Sequence, residues 1–97
     1  MDNLLYSQFV SLEVADRNWT DANAFLGKIK VYNNRIILKY LLIKKIVFNK
    51  RDIEGIKIFN KGIRICNSKK SRNSDYLVYT NSKELIKILK SANYKFK

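Results

Sequence analysis

The sequence predicts a mainly β fold, seven short antiparallel strands followed by one C-terminal helix. Three observations carry that prediction. From residue 9 to residue 80, apolar side chains recur at every second position in short runs, the rhythm of a strand with one buried face. Polar stretches bearing asparagine or glycine separate those runs and supply the turns. After Thr80 the step lengthens to three and four residues, which is the spacing of an amphipathic helix.

Taken in order, Phe9 to Ala15 alternates Val10, Leu12 and Val14 against Ser11, Glu13 and Ala15, and makes the first strand. Asp16 to Ala24 is polar and reads as a loop. Gly27 opens a second strand, Lys28-Ile29-Lys30-Val31-Tyr32. Asn33-Asn34 follows as a two-residue turn, because asparagine tolerates positive φ, and Arg35 to Tyr40 is the third strand. The fourth is Lys45 to Asn49, with Ile46 and Phe48 on one face. Lys50-Arg51-Asp52 starts a turn into Ile53-Glu54-Gly55, and Ile56 to Phe59 forms strand five. Asn60-Lys61-Gly62 is expected as a three-residue hairpin connection to strand six, Ile63 to Cys66, in which Ile63 and Ile65 face one way and Arg64 and Cys66 the other. Residues 67 to 75 are the least hydrophobic stretch and form an exposed loop before strand seven, Tyr76 to Thr80. Asn81-Ser82-Lys83-Glu84 supplies a helix cap. Leu85, Ile88, Leu89 and Ala92 then form the apolar stripe, opposite Lys83, Lys87 and Lys90.

At 97 residues the chain has room for one core, and it buries roughly 60 to 70% of the surface that its unfolded form exposes. Seven strands and a helix in that length call for a partly closed barrel, or two packed sheets, with the helix plugging an open end. The composition is poor in catalytic equipment. There is no histidine and one cysteine, Cys66, which removes the usual zinc spacings, imidazole bases and an intramolecular disulfide. The serines lack a histidine to activate them, neither Asp75 with Glu84 nor Asp52 with Glu54 makes an acid pair, and no glycine-rich phosphate loop is present. Cys66 beside Arg64 is either a reactive thiol or a buried structural one. The reading is of a binding module with no cofactor and no metal. The N-terminus lacks the basic start and continuous apolar run of a secretory signal, and the longest uncharged apolar run, Tyr40 to Ile43, falls far short of the ~20 residues that span a bilayer, so a cytoplasmic protein is expected.

Charge is the strongest functional signal. Twenty basic and eight acidic residues give +12, unevenly placed: residues 1 to 27 carry −3, and residues 28 to 97 carry +15. Such a potential draws in phosphates, anionic lipid or an acidic protein. Lysine outnumbers arginine 15 to 5, with isoleucine and asparagine also abundant, so drift toward A- and T-rich codons that keeps a small protein soluble accounts for the charge equally well.

The stretch LGKIKVYNNRIILKYLLIKKIVFNKRDIEGIKIF resembles the small bacterial pleckstrin-homology-like proteins. A glycine opens a strand (Gly27), a tight turn precedes an Ile/Leu-rich strand (Asn33-Asn34-Arg35-Ile36-Ile37), and Asp52-Ile53 precedes Gly55-Ile56. The resemblance covers roughly residues 10 to 92 and rests on the order of elements more than on any single motif. It implies that the connections between strands one and two, three and four, and six and seven emerge at one end, away from the helix. That would gather Lys44, Lys45, Lys69, Lys70 and Arg72 as an anion- or phosphate-binding rim. The chain departs from the phosphoinositide-binding members where it counts. Its first loop, DRNWTDANA, holds one arginine against two aspartates, so stereospecific inositol phosphate binding is not expected.

Each candidate has a plainer counterpart. Lys69-Lys70-Ser71-Arg72 touches phosphate or is a solvated loop. Leu42 and Ile43, beside Lys44 and Lys45, make a membrane contact or continue the strands into the core. Trp19 anchors in a partner or lipid interface, or folds back as a lid. Lys28, Lys30, Tyr32, Lys39 and Lys57 form a lysine-and-aromatic sheet face able to stack and hold single-stranded nucleic acid, or the rings are ordinary packing. The leading expectation is a pleckstrin-homology-like adaptor that docks to a protein partner or to copies of itself as an oligomer, with an anionic lipid surface nearby. The alternative is a nucleic-acid binder.

Overall fold

The computed structural model describes residues 3–14, 25–40, 44–68 and 75–97. Its strands are β1 (Leu4–Val14), β2 (Phe25–Tyr32), β3 (Arg35–Tyr40), β4 (Lys44–Asn49), β5 (Ile53–Phe59), β6 (Gly62–Asn67) and β7 (Tyr76–Tyr79), followed by the helix α1 (Lys83–Ser91). They form one antiparallel sheet in the order β4-β3-β2-β1-β7-β6-β5, a partly open barrel that the helix caps. A short 3₁₀ turn, Lys50–Asp52, joins β4 to β5 across the opening.

The alternation read from the sequence decides which face is inside. Val10 and Leu12 of β1, Ile29 and Val31 of β2, Ile36 and Leu38 of β3, Phe48, Ile56, Ile63, Ile65 and Val78 make one buried cluster, to which the helix adds Leu85, Leu89 and Ala92. Ser82 caps the helix, its hydroxyl accepting from Leu85 N–H at 3.2 Å. At the other end Asn93 takes the left-handed conformation (φ 64°). Its N–H bonds Lys90 O, and the Tyr94 N–H bonds Leu89 O, the pair of bonds that closes a helix of the Schellman type. Tyr94 is then buried and donates to Tyr32 O at 2.6 Å. The Lys50 ammonium donates to Asn33 O and to Ala92 O while standing 4.9 Å above the Tyr94 ring, so one lysine ties the β2–β3 turn to the helix C-terminus. After the helix, Phe96 makes a single parallel bridge to Ile56 on the β5 edge, with Ile56 N–H bonded to Lys95 O and Lys97 N–H to Ile56 O.

Several boundaries differ from the sequence reading: β2 begins at Phe25 and β5 at Ile53, earlier than expected, and three further differences have a physical reason. β1 starts at Leu4, because a bulge at Leu5 interrupts the alternation that would have revealed it. Lys44 and Lys45 belong to β4, paired with Tyr40 and Lys39, and are not part of the connecting loop. Phe59 pairs with Gly62, so the β5–β6 turn is the two residues Asn60-Lys61, not three. Gly27 lies inside β2. A Cβ there would come within 2.5 Å of Lys39 O and of Leu12 Cδ1, so glycine permits the close approach of β3 and the core.

Candidate functional site

The register brings cations together on the outer face of β1–β4. Lys28 is opposite Lys39, and Lys39 is opposite Lys45, so three ammonium groups stand in one row across three strands. On β1 the row ends at Phe9, which pairs with Lys28 and is 68% exposed. The next row runs Ser7, Lys30, Ile37, Val47. Ile37 is on the outward side of β3 yet only 6% exposed. Half-buried Lys30 lies directly across from it, and half-buried Lys39 two residues along on the same face.

This arrangement is self-repelling. The Lys30 pKa is held below the ordinary lysine value, chiefly by the Lys39 charge, then by loss of water contact and by Lys28 and Lys45. β2, β3 and β4 together carry six basic side chains and no acidic one. Two cations elsewhere are paired with acids. Arg64 donates to Asp75 Oδ2 through Nε and Nη2, which raises its pKa, and Lys97 pairs with Glu54. Glu13, on the same side of β1 as Phe9, accepts from the Tyr79 hydroxyl, whose pKa is pushed up to about 12. Among the described residues, Lys28, Lys30, Lys39 and Lys45 face no carboxylate.

Aromatic and apolar groups border the rows. The Lys28 ammonium stands 5.1 Å from the Phe9 ring centroid, and the Arg35 guanidinium 4.2 Å from that of Tyr32. Leu26 (70% exposed) is diagonal to Phe9, and Leu4 and Leu5 are exposed at the far end of β1.

Of the sequence candidates, Lys28, Lys30, Tyr32 and Lys39 therefore share one face, with Lys45 added from the anion-rim group. Lys44 is exposed at the start of β4. Lys57 does not join them, which corrects the expected face. It pairs with Arg64 on β6, and its cleft of about 440 Å³ is lined by Ile58, Phe59, Arg64, Leu77 and Lys97. Trp19, Leu42, Ile43, Lys69, Lys70 and Arg72 lie outside the described residues. Phe9 and Leu26 were the residues missed. Their signal was the outward parity of Phe9 and Leu26 in strands whose other outward residues are polar.

Cys66 is buried, its Sγ 3.9 Å from Arg64 O. Among the described residues no three His, Cys, Asp or Glu side chains gather as a metal site, and no helix is long and apolar enough to cross a membrane. No protein-family model, curated protein or solved structure matches the chain.

Proposed function

We propose that the chain is a non-catalytic binding module of the pleckstrin-homology-like type, working in the cytoplasm, whose functional surface is the outer face of β1–β4 and whose partner is a polyanion. The observation that supports this most is the in-register row Lys28-Lys39-Lys45 with Lys30 beside it. Like charges placed directly opposite across strands weaken a sheet, and a fold that keeps three of them in line without an acid among β2–β4 gives up stability for an external counter-charge. The meander order with its capping helix, and the turn ending at Asp52 that leads into β5 with Ile53 and Gly55 at its start, support the family reading.

Exposed Leu4, Leu5, Phe9 and Leu26 favour a second reading, an adaptor that docks to a protein partner or to a second copy through an apolar contact. Sedimentation of the purified chain alone, with phosphatidylserine vesicles and with a short oligonucleotide, tests both. The polyanion reading expects co-sedimentation that fades as salt rises. A salt-insensitive, concentration-dependent oligomer that ignores both anions would overturn it in favour of the adaptor.

A further inference from the structure

Resting on the cationic face proposed above, we infer that its partner is single-stranded nucleic acid, with phosphates on the lysine row and a base on Phe9. Neighbouring strands lie about 4.8 Å apart, so Phe9, Lys28, Lys39 and Lys45 span three steps, roughly 14 Å, along a line perpendicular to the strands. A strand of nucleic acid laid along that line meets a run of three cations and an exposed ring at the end. Tyr32, two rows along the same face with the Arg35 guanidinium 4.2 Å from its ring centroid, offers a second aromatic surface. Duplex bases are stacked on each other and present no face to Phe9, which selects the single strand.

The layout fits a lipid surface less well. A membrane contact needs apolar side chains leading, with cations flanking at headgroup depth. Here the lysines form one block from β2 out to the edge strand β4, and the apolar groups lie to one side of it, divided between Leu4 and Leu5 at one end of β1 and Phe9 with Leu26 further along.

The test is fluorescence anisotropy of a labelled short oligo(dT) titrated with the full chain across a salt series, each variant being checked for folding by circular dichroism. Four lysines on phosphates give a slope of log affinity against log salt of about −3, so a four-fold rise in salt costs about fifty-fold. The pair Lys28→Gln with Lys39→Gln should flatten the slope by about 1.4. Phe9→Leu, at an exposed position, should weaken binding about ten-fold at every salt concentration and leave the slope unchanged, because stacking releases no counterions. Lys83→Gln with Lys87→Gln on the helix removes the same charge away from the face and should leave the slope within experimental error. If the helix pair flattens the slope as much as the sheet pair, the face is not the site and both this inference and the proposed surface fall. If phosphatidylserine vesicles capture the protein through Lys28 and Lys39 while the oligonucleotide does not, the nucleic-acid inference falls and the cationic face stands. If neither anion binds, both fall.

Discussion

Neutralising Lys39 should make the protein more stable while weakening its hold on an anion. Lys39 is the middle member of the row, directly opposite Lys28 on one side and Lys45 on the other. Cross-strand charge pairs are worth about 0.2–1 kcal/mol each, unfavourable when the signs match, so two pairs bring about 0.4–2 kcal/mol. Solvent screens side chains that are only half covered, which puts the gain near the low end, about 0.5 kcal/mol. For a domain of this size that is a rise in Tm of about 2–4 °C. Thermal melts followed by circular dichroism would compare the parent chain with Lys39→Gln and Lys39→Met. Methionine keeps an unbranched apolar stem where glutamine does not, so agreement between the two variants isolates charge from packing. In 1 M salt, where screening acts within about 3 Å, the gain should collapse. A fall in Tm for both variants, or a gain that persists in high salt, would refute the claim that the row repels itself.

Other consequences can be checked separately. Gly27→Ala should destabilise by about 1–3 kcal/mol in denaturant titration, since the new methyl group would meet Lys39 O and Leu12 with only the leucine able to move. Ser82→Ala should cost about 1–2 kcal/mol, because that hydroxyl caps the helix and also hydrogen-bonds the Tyr6 hydroxyl at 2.8 Å. In a spectrophotometric titration Tyr79 and Tyr94 should ionise late, Tyr79 through its bond to Glu13 and Tyr94 through burial; Glu13→Gln should bring the Tyr79 step back toward 10 and leave that of Tyr94 in place. Because the folded state holds the Tyr79 proton more tightly than the unfolded chain, its contribution to stability is complete below pH 10 and is lost as pH rises toward about 12. Lys30 works in the opposite sense: its folded pKa is lowered, so the folded state gains relative stability as pH rises through the region just below 10.5.

The parts of the fold that were legible are those fixed by local rules. β3 was bounded correctly because Asn33-Asn34 marks its start, and the helix because the apolar step changes after Thr80. Lys44 falls outside the fourth strand that the sequence predicts, because Leu41 to Lys45 contains no glycine, proline, asparagine or aspartate to mark where β4 begins. That Lys28 and Lys30 point outward followed from alternation alone. That Lys39 stands between Lys28 and Lys45 did not, since it depends on register between separate strands, which is set by the fit of inward-facing residues such as Ile29 against Leu38 and Leu38 against Ile46. Lys57 shows the same limit from the other side. It has the composition of the cationic face, but pairing assigns it to Arg64 on β6.

The bulge at Leu5 makes the molecule unequal in its tolerance of length changes. Tyr6 to Leu12 run in unbroken step with Val31 to Phe25, so losing Ser7 or Ser11 would turn a whole stretch of β1 over, sending Val10 or Leu12 into water and Phe9 into the core. Losing Leu5 removes only the residue that the pairing already skips. Changes of length engineered into this strand, and new sequence grafted onto its front end, should therefore be tolerated up to Leu5 and not from Tyr6 onward.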